Sequence, residues 1–81
     1  MTLRQFNQLD EIEQIEAVWS GKHLATRHDE IHDILLYQID GFFVEVFYDR
    51  EYNTIRKLRS FSSTNQLEPY LSQIDIGKLN D

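Results

Sequence analysis

Residues 34–48, ILLYQIDGFFVEVFY, decide the fold because they predict a β-hairpin. Two runs rich in β-branched and aromatic residues flank Asp40-Gly41, a dipeptide that favours a two-residue type I′ turn. A turn of that length also sets the strand register. The expected cross-strand pairs are Ile39 with Phe42, Tyr37 with Val44, and Leu35 with Val46.

Both faces of this hairpin are apolar, which is unusual for a chain of 81 residues. Side chains alternate between the two faces of a strand, so the register divides the hairpin into two sets. The first face carries Leu35, Tyr37, Ile39, Phe42, Val44, Val46 and Tyr48. The second face carries Ile34, Leu36, Phe43 and Phe47, with Gln38 and Glu45 among them.

Further strands are expected on both sides of the hairpin, giving an antiparallel meander of three to four strands. Residues 22–28 alternate weakly and predict a first strand, followed by a polar turn over residues 29–33. Residues 49–53 predict a second connection that ends in Asn53, a residue that tolerates a left-handed backbone. Residues 54–60 then supply another strand.

The segment from Asn7 to Ser20 predicts a helix. Asn7 is a suitable N-cap with Asp10 three residues on, and Gly21 is a suitable stop. The apolar residues of this segment fall within an arc of about 120°, which predicts a single stripe facing the core. The stripe consists of Leu9, Ile12, Ile15 and Trp19.

A short helix is expected near the end of the chain, with Asn65 as its cap and Pro69 in its first turn. Its apolar residues, spaced by three and four, are Leu67, Tyr70, Leu71 and Ile74, and residues 77–81 are expected to form a frayed tail.

The whole chain, residues 1–81, is therefore predicted to be one small α+β domain with an N-terminal helix, the meander and a short C-terminal helix.

Composition narrows the classes of function. No apolar run approaches the roughly 18 residues of a membrane span, the first residues do not resemble a secretory signal, and there is no cysteine. We therefore expect a soluble protein of the cytoplasm that does not bind membranes. The net charge of −6 disfavours general binding to nucleic acid or to anionic lipid, because both attract clustered cations.

The second face predicts a surface for association. Exposing its four large apolar side chains would forfeit roughly 6–12 kcal/mol, which rivals the roughly 5–15 kcal/mol that stabilises a whole domain. A symmetric homodimer, or another protein partner, is the simplest cover. The predicted interface residues are Ile34, Leu36, Phe43, Glu45, Phe47 and Arg56, with Arg56 placed opposite Glu45. The alternative is that the chain covers both faces itself.

Two motifs suggest other functions. His28 and His32, spaced by four, would share one face of a helix and suggest a small metal-dependent hydrolase, but the third ligand is missing and a solvated turn explains them better. A basic group in and beside the last strand suggests a nucleic-acid binder, although such residues more often protect an edge strand. That group is Arg50, Arg56, Lys57 and Arg59.

No catalytic nucleophile arrangement or phosphate-binding loop is evident, and no cofactor or metal is expected. The sequence therefore favours a non-catalytic interaction module that associates with itself through one sheet face.

Overall fold

A computed structural model describes residues 1–74, so the predicted tail at residues 77–81 lies outside the described residues. The architecture is α+β, with N-terminal helical structure, a four-stranded antiparallel meander and a short 3₁₀ helix, which confirms the predicted fold class. The elements are α1 (Leu3–Gln8), α2 (Glu11–Trp19), β1 (Lys22–His28), β2 (His32–Ile39), β3 (Phe42–Asp49), β4 (Thr54–Phe61) and the 3₁₀ helix (Thr64–Tyr70).

The N-terminal helix predicted over residues 7–20 is present as the shorter α2, and it is preceded by α1, which was not predicted. Asp10 has an extended backbone and caps α2, because its side chain accepts from the Glu13 amide while Glu13 bonds back to the Asp10 amide. Thr2 and Gln5 make the same reciprocal pair at the start of α1. The choice of Asn7 as the cap was therefore wrong, since a stronger capping box begins three residues later.

The sheet has the order β1-β2-β3-β4, with every neighbouring pair antiparallel. The hairpin register predicted around Asp40-Gly41 is confirmed from Ile39 with Phe42 outward. Asp40 has a φ of 50°, but Gly41 has no positive φ, so the turn is not the expected type I′. Asn53 has a φ of 59° and closes the next connection in the left-handed backbone that was expected.

The first face of the sheet packs against α1 and α2. Its core combines Phe6 of α1 and Val18 of α2 with side chains of β2 and β3. The predicted core stripe of α2 was wrong at two positions, since Ile12 is 70% exposed and Trp19 is 50% exposed. The face of α2 that meets the sheet is instead the one with Val18 and, in part, Ala17.

The second face packs against the end of the described chain, residues 64–74, which we term the C-terminal cover. Ser63 caps its 3₁₀ helix through the Asn65 amide, so Asn65 is not the cap, and Pro69 lies near the helix end. Pro69 has no amide hydrogen to donate, so it donates no hydrogen bond of its own within this short helix. The apolar core of this face is Ala25, Leu36, Phe43, Phe61, Leu67 and Tyr70.

Candidate functional site

The structure places most of the predicted interface residues in the interior of one copy. Leu36 and Phe43 are buried in the core that includes Leu67 and Tyr70 of the cover, and Ile34 is equally inaccessible. Phe47 is buried as well. The second face is thus covered by the chain itself, which is the alternative that the sequence left open. The predicted interface rested on an exposed second face, and that face is not exposed.

The side chains around Phe47 cover its ring from within the sheet. The Lys57 ammonium lies 4.4 Å from the ring centroid, and the His32 ring meets it edge-on at 5.8 Å between centroids. Cations and imidazoles beside an aromatic face interact favourably with its π-system while keeping their polar ends in water. Phe47 therefore gains its cover from neighbouring strands.

Glu45 is the central charged group of the second face and is only 1% exposed. Its Oε2 accepts from the Tyr70 hydroxyl at 2.6 Å and from Arg27 Nη2 at 3.3 Å, while its Oε1 accepts from Arg59 Nη1 at 3.1 Å. These donors come from the C-terminal cover, β1 and β4, so one carboxylate on the central strand β3 joins three elements. A buried charge needs this degree of compensation because its desolvation is costly.

The same network orders the groups that surround Glu45. Arg27 Nε donates to the Tyr70 hydroxyl oxygen at 3.2 Å, and its guanidinium lies 5.4 Å from the Tyr70 ring centroid. Arg59 Nη2 donates to Gln66 Oε1 of the cover at 2.6 Å. The cover is therefore held by specific polar contacts as well as by its apolar side chains.

The ionisation of the network follows from its contacts. Burial raises the pKa of the Tyr70 hydroxyl, and its hydrogen bond to Glu45 raises it further. Burial alone would lower the pKa of Arg27, but its hydrogen bonds to Tyr70 and Glu45 outweigh that effect and raise it. Near neutral pH the Tyr70 hydroxyl is therefore a hydrogen-bond donor.

The predicted pairing of Arg56 with Glu45 was wrong. The register of β3 and β4 shifts between Phe47 and Tyr48, and Arg56 is the residue of β4 that this shift leaves without a cross-strand partner. Arg56 Nε instead donates to Asp49 Oδ2 at 3.0 Å, while Glu45 stands opposite Arg59. The register at the Asp49–Thr54 end of the pair would place Leu58 opposite Glu45, and the one-residue shift brings Arg59 there instead.

The two histidines of the metal hypothesis lie at strand ends and contact different carboxylates. His28 Nδ1 is 2.7 Å from Asp33 Oδ1, and His32 Nδ1 is 3.1 Å from Asp29 Oδ2. Within residues 1–74, no group of three or more histidine, cysteine or acidic side chains is arranged to hold a metal ion. The four residues therefore form two separate pairs that flank the turn between β1 and β2.

Arg50 fixes that turn from the neighbouring connection. Its guanidinium donates to the backbone carbonyls of Asp29, Glu30 and His32 and to the Asp33 carboxylate, at 2.9–3.1 Å. The Asp29 carboxylate accepts from the amides of Ile31 and His32, which lower its pKa to about 2. This explains why so polar a segment has a defined turn.

The basic group of the nucleic-acid hypothesis is largely compensated by acidic partners. Arg50 pairs with Asp33, Arg56 with Asp49 and Arg59 with Glu45, and Lys57 lies over Phe47. Cationic side chains bind nucleic-acid phosphates by displacing the small counterions of the phosphates. A cation that is already paired with a carboxylate attracts phosphate less strongly, because its charge is partly neutralised. The arrangement stabilises the sheet and its turns.

A second candidate surface, which the sequence interpretation missed, lies on the outer side of α2. Ile12, Ile15 and Trp19 follow one another at helical spacing, and Trp19 meets the Tyr37 ring edge-on at 5.4 Å between centroids. The Tyr37 ring in turn meets His23 at 5.3 Å. We term these five residues the α2 patch. The capping box at Asp10 and Glu13 marks where α2 begins, but it does not indicate which side of the helix meets the sheet.

Comparison with protein-family models, with curated proteins and with solved structures finds no match in any of the three. Among the described residues, no helix is long and apolar enough to cross a membrane. A functional interpretation therefore rests on the residues themselves.

Proposed function

We propose that this protein is a non-catalytic interaction module that associates with itself through the α2 patch. The observation that carries the proposal is the exposure of Ile12 and Trp19, at 70% and 50%, on one short helix. Isolated exposed apolar residues are common, but clustered ones on a soluble surface mark association sites. Tryptophan and tyrosine are also the side chains that most often dominate binding energy at interfaces.

The charges at the ends of α2 favour a second copy that runs antiparallel to the first. The helix begins with the exposed acidic residues Asp10, Glu11 and Glu13, and it is followed by exposed Lys22. Within residues 1–74, no ion pair involves Lys22. In an antiparallel pair, each acidic start meets the partner's basic end, and the two helix dipoles attract one another.

The same geometry would bring the apolar groups of α2 into contact. Ile12 lies near one end of the helix and Trp19 near the other, seven residues or two turns apart. Antiparallel packing therefore places Ile12 of one copy against Trp19 of the other, with Ile15 near the two-fold axis. The Trp19–Tyr37 contact fixes one side of the indole and so lowers the entropy lost on association.

The proposal is tested by substituting Trp19→Ala and measuring mass against concentration by sedimentation equilibrium. We expect the wild-type chain to dimerise and the variant to dimerise about 30-fold more weakly, the effect of losing about 2 kcal/mol in total from the two indoles of a symmetric dimer. Tyr52→Ala is the matched control, because Tyr52 is an exposed aromatic on the connection between β3 and β4. A monomeric wild type at millimolar concentration, or equal weakening by both substitutions, would contradict the proposal.

A further inference from the structure

The C-terminal cover contacts the sheet through side chains and not through backbone pairing, as a bound ligand does. Each hydrogen bond found between the cover and the sheet within residues 1–74 uses a side chain of the cover: Gln66 with Arg59, Tyr70 with Glu45 and Arg27, and Gln73 with the backbone of Thr26. The backbone bonds of the cover are local, such as Gln73 to Tyr70 and Leu71 to Glu68. No strand ladder joins the cover to the sheet in this part of the chain.

The apolar contacts of the cover are also confined to one face. Leu67 and Tyr70 are fully buried and belong to the core of the second face, with Ile74 partly buried beside them. The core of the first face, formed around Phe6 and Val18, contains no residue of the cover. Removing the cover would therefore leave the first core complete, which is the condition for a local opening without global unfolding.

The connection between the sheet and the cover is short and exposed. β4 ends at Phe61, the 3₁₀ helix begins at Thr64, and Ser62 and Ser63 between them are exposed and belong to neither element. Short connections of this kind act as hinges when an element is exchanged between copies of a chain.

We propose that the second face is a docking groove for a short helical segment. Within one copy, the C-terminal cover is the ligand of this groove and can separate from it. The cover of a second copy can then take its place. The groove is already complementary to that sequence. Leu67 fills the apolar part, the Tyr70 hydroxyl three residues on meets Glu45, and Gln66 meets Arg59. This exchange is independent of the α2 patch, which lies on α2 and the first face.

The experiment uses a fluorescent peptide, SSTNQLEPYLSQI, with the sequence of residues 62–74, and the full chain carrying Leu67→Ala. The substitution weakens the attached cover without altering the groove. We expect fluorescence anisotropy to show saturable binding of the peptide to this variant. Binding to the wild-type chain should be at least about tenfold weaker, because its own cover competes for the groove.

Two altered peptides test the recognition chemistry. Tyr70→Phe removes the hydroxyl that meets Glu45 and should weaken binding by about tenfold, in line with a hydrogen bond to a charged group. Glu68→Gln is the matched control, because Glu68 is exposed, and it should bind as the unaltered peptide does. Equal affinity of the Tyr70→Phe peptide, or absence of binding to a folded Leu67→Ala chain, would overturn the proposal.

Amide hydrogen exchange of the wild-type chain keeps the proposal falsifiable if the Leu67→Ala chain fails to fold. We expect the amides bonded within the cover, such as those of Leu71 and Ile74, to exchange at least about tenfold faster than amides of β3. Equal protection of the cover and of β3 would show that the two open together, and the cover would then be an inseparable part of the fold.

Discussion

The two faces of the sheet are covered in different ways. The first face lies under two helices, α1 and α2, yet Ile12 and Trp19 of α2 remain exposed. The second face lies under one 3₁₀ helix of seven residues, yet Leu67 and Tyr70 are completely buried. The 3₁₀ helix therefore buries both of its large apolar side chains, whereas the two helices of the first face together bury only some of theirs.

The difference lies in how each cover is anchored. Two of the three polar side chains that hold the cover meet the Glu45 network, Tyr70 directly and Gln66 through Arg59, while Gln73 bonds the backbone of Thr26. The first face is covered mainly through apolar contacts around Phe6 and Val18, which are less directional. A few specific polar contacts can thus orient a short segment that has little helical stability of its own.

The largest expected effect comes from removing the anchor with Glu45→Gln. The amide has no charge to compensate Arg27 and Arg59, and it turns a donor toward groups that also donate. We expect a loss of about 3 kcal/mol in the free energy of unfolding, the low end for a broken buried ion pair, because both arginines still reach water. Urea denaturation measures this loss.

The matched control for Glu45→Gln is Asp40→Asn, which removes an exposed carboxylate paired with the chain's N-terminal ammonium. That substitution should have little effect on stability, because exposed ion pairs contribute little. If the two substitutions cost the same, the anchoring role assigned to Glu45 is wrong.

A smaller effect is expected at the joint between α2 and β1, where Gly21→Ala disturbs the first face. A Cβ on Gly21 would lie 2.8 Å from the Gln38 carbonyl oxygen and 3.1 Å from Ile39 Cγ1. We expect a cost of about 1–3 kcal/mol, typical of overpacking, with faster amide exchange in α2. Gly41→Ala is the control, since its Cβ would meet nothing within 4 Å. Loss of protection mainly in the cover would contradict the separation of the two faces.

The smallest effect is expected on the docking of the cover, which should weaken at alkaline pH. The docked Tyr70 hydroxyl has a raised pKa, whereas in a released cover it has its ordinary value of 10.0. Below pH 10 both states keep the proton, so docking is at full strength. Above pH 10 the released state loses its proton first, and docking weakens by up to about 1.4 kcal/mol per pH unit.

Amide exchange of the cover, measured between pH 9 and pH 11 and corrected for intrinsic rates, tests this dependence. Tyr70→Phe is the comparison chain, because it retains the ring and cannot ionise. We expect the added loss of protection above about pH 10 only in the wild-type chain. The same pH dependence in both chains would show that another group controls the release.

The sequence predicted the sheet well for physical reasons. Period-two alternation and a two-residue turn leave only one register that buries both apolar sets, so Leu35 with Val46 could be placed from the turn outward. The predicted first strand, residues 22–28, is confirmed despite its weak pattern. Both conclusions depend on local rules that hold without knowledge of the rest of the chain.

The cover and the exposed side of α2 could not be predicted by such rules. A periodicity count over residues 7–20 groups Ile12 and Trp19 into a core stripe, but the side of α2 that meets the sheet is the one with Val18. The bulge at Arg56 shifts the β3–β4 register by one residue, which places Arg59 opposite Glu45 where Leu58 would otherwise stand. These outcomes depend on packing between distant segments.

The central claim is that the second face is covered within one copy by its own C-terminal segment, anchored at Glu45. Nuclear Overhauser effects between the Tyr70 ring and the side chains of Glu45 and Arg27 test it most directly, at a concentration where sedimentation shows a single copy. The account predicts strong effects between these groups. Their absence from an otherwise folded monomer would contradict it.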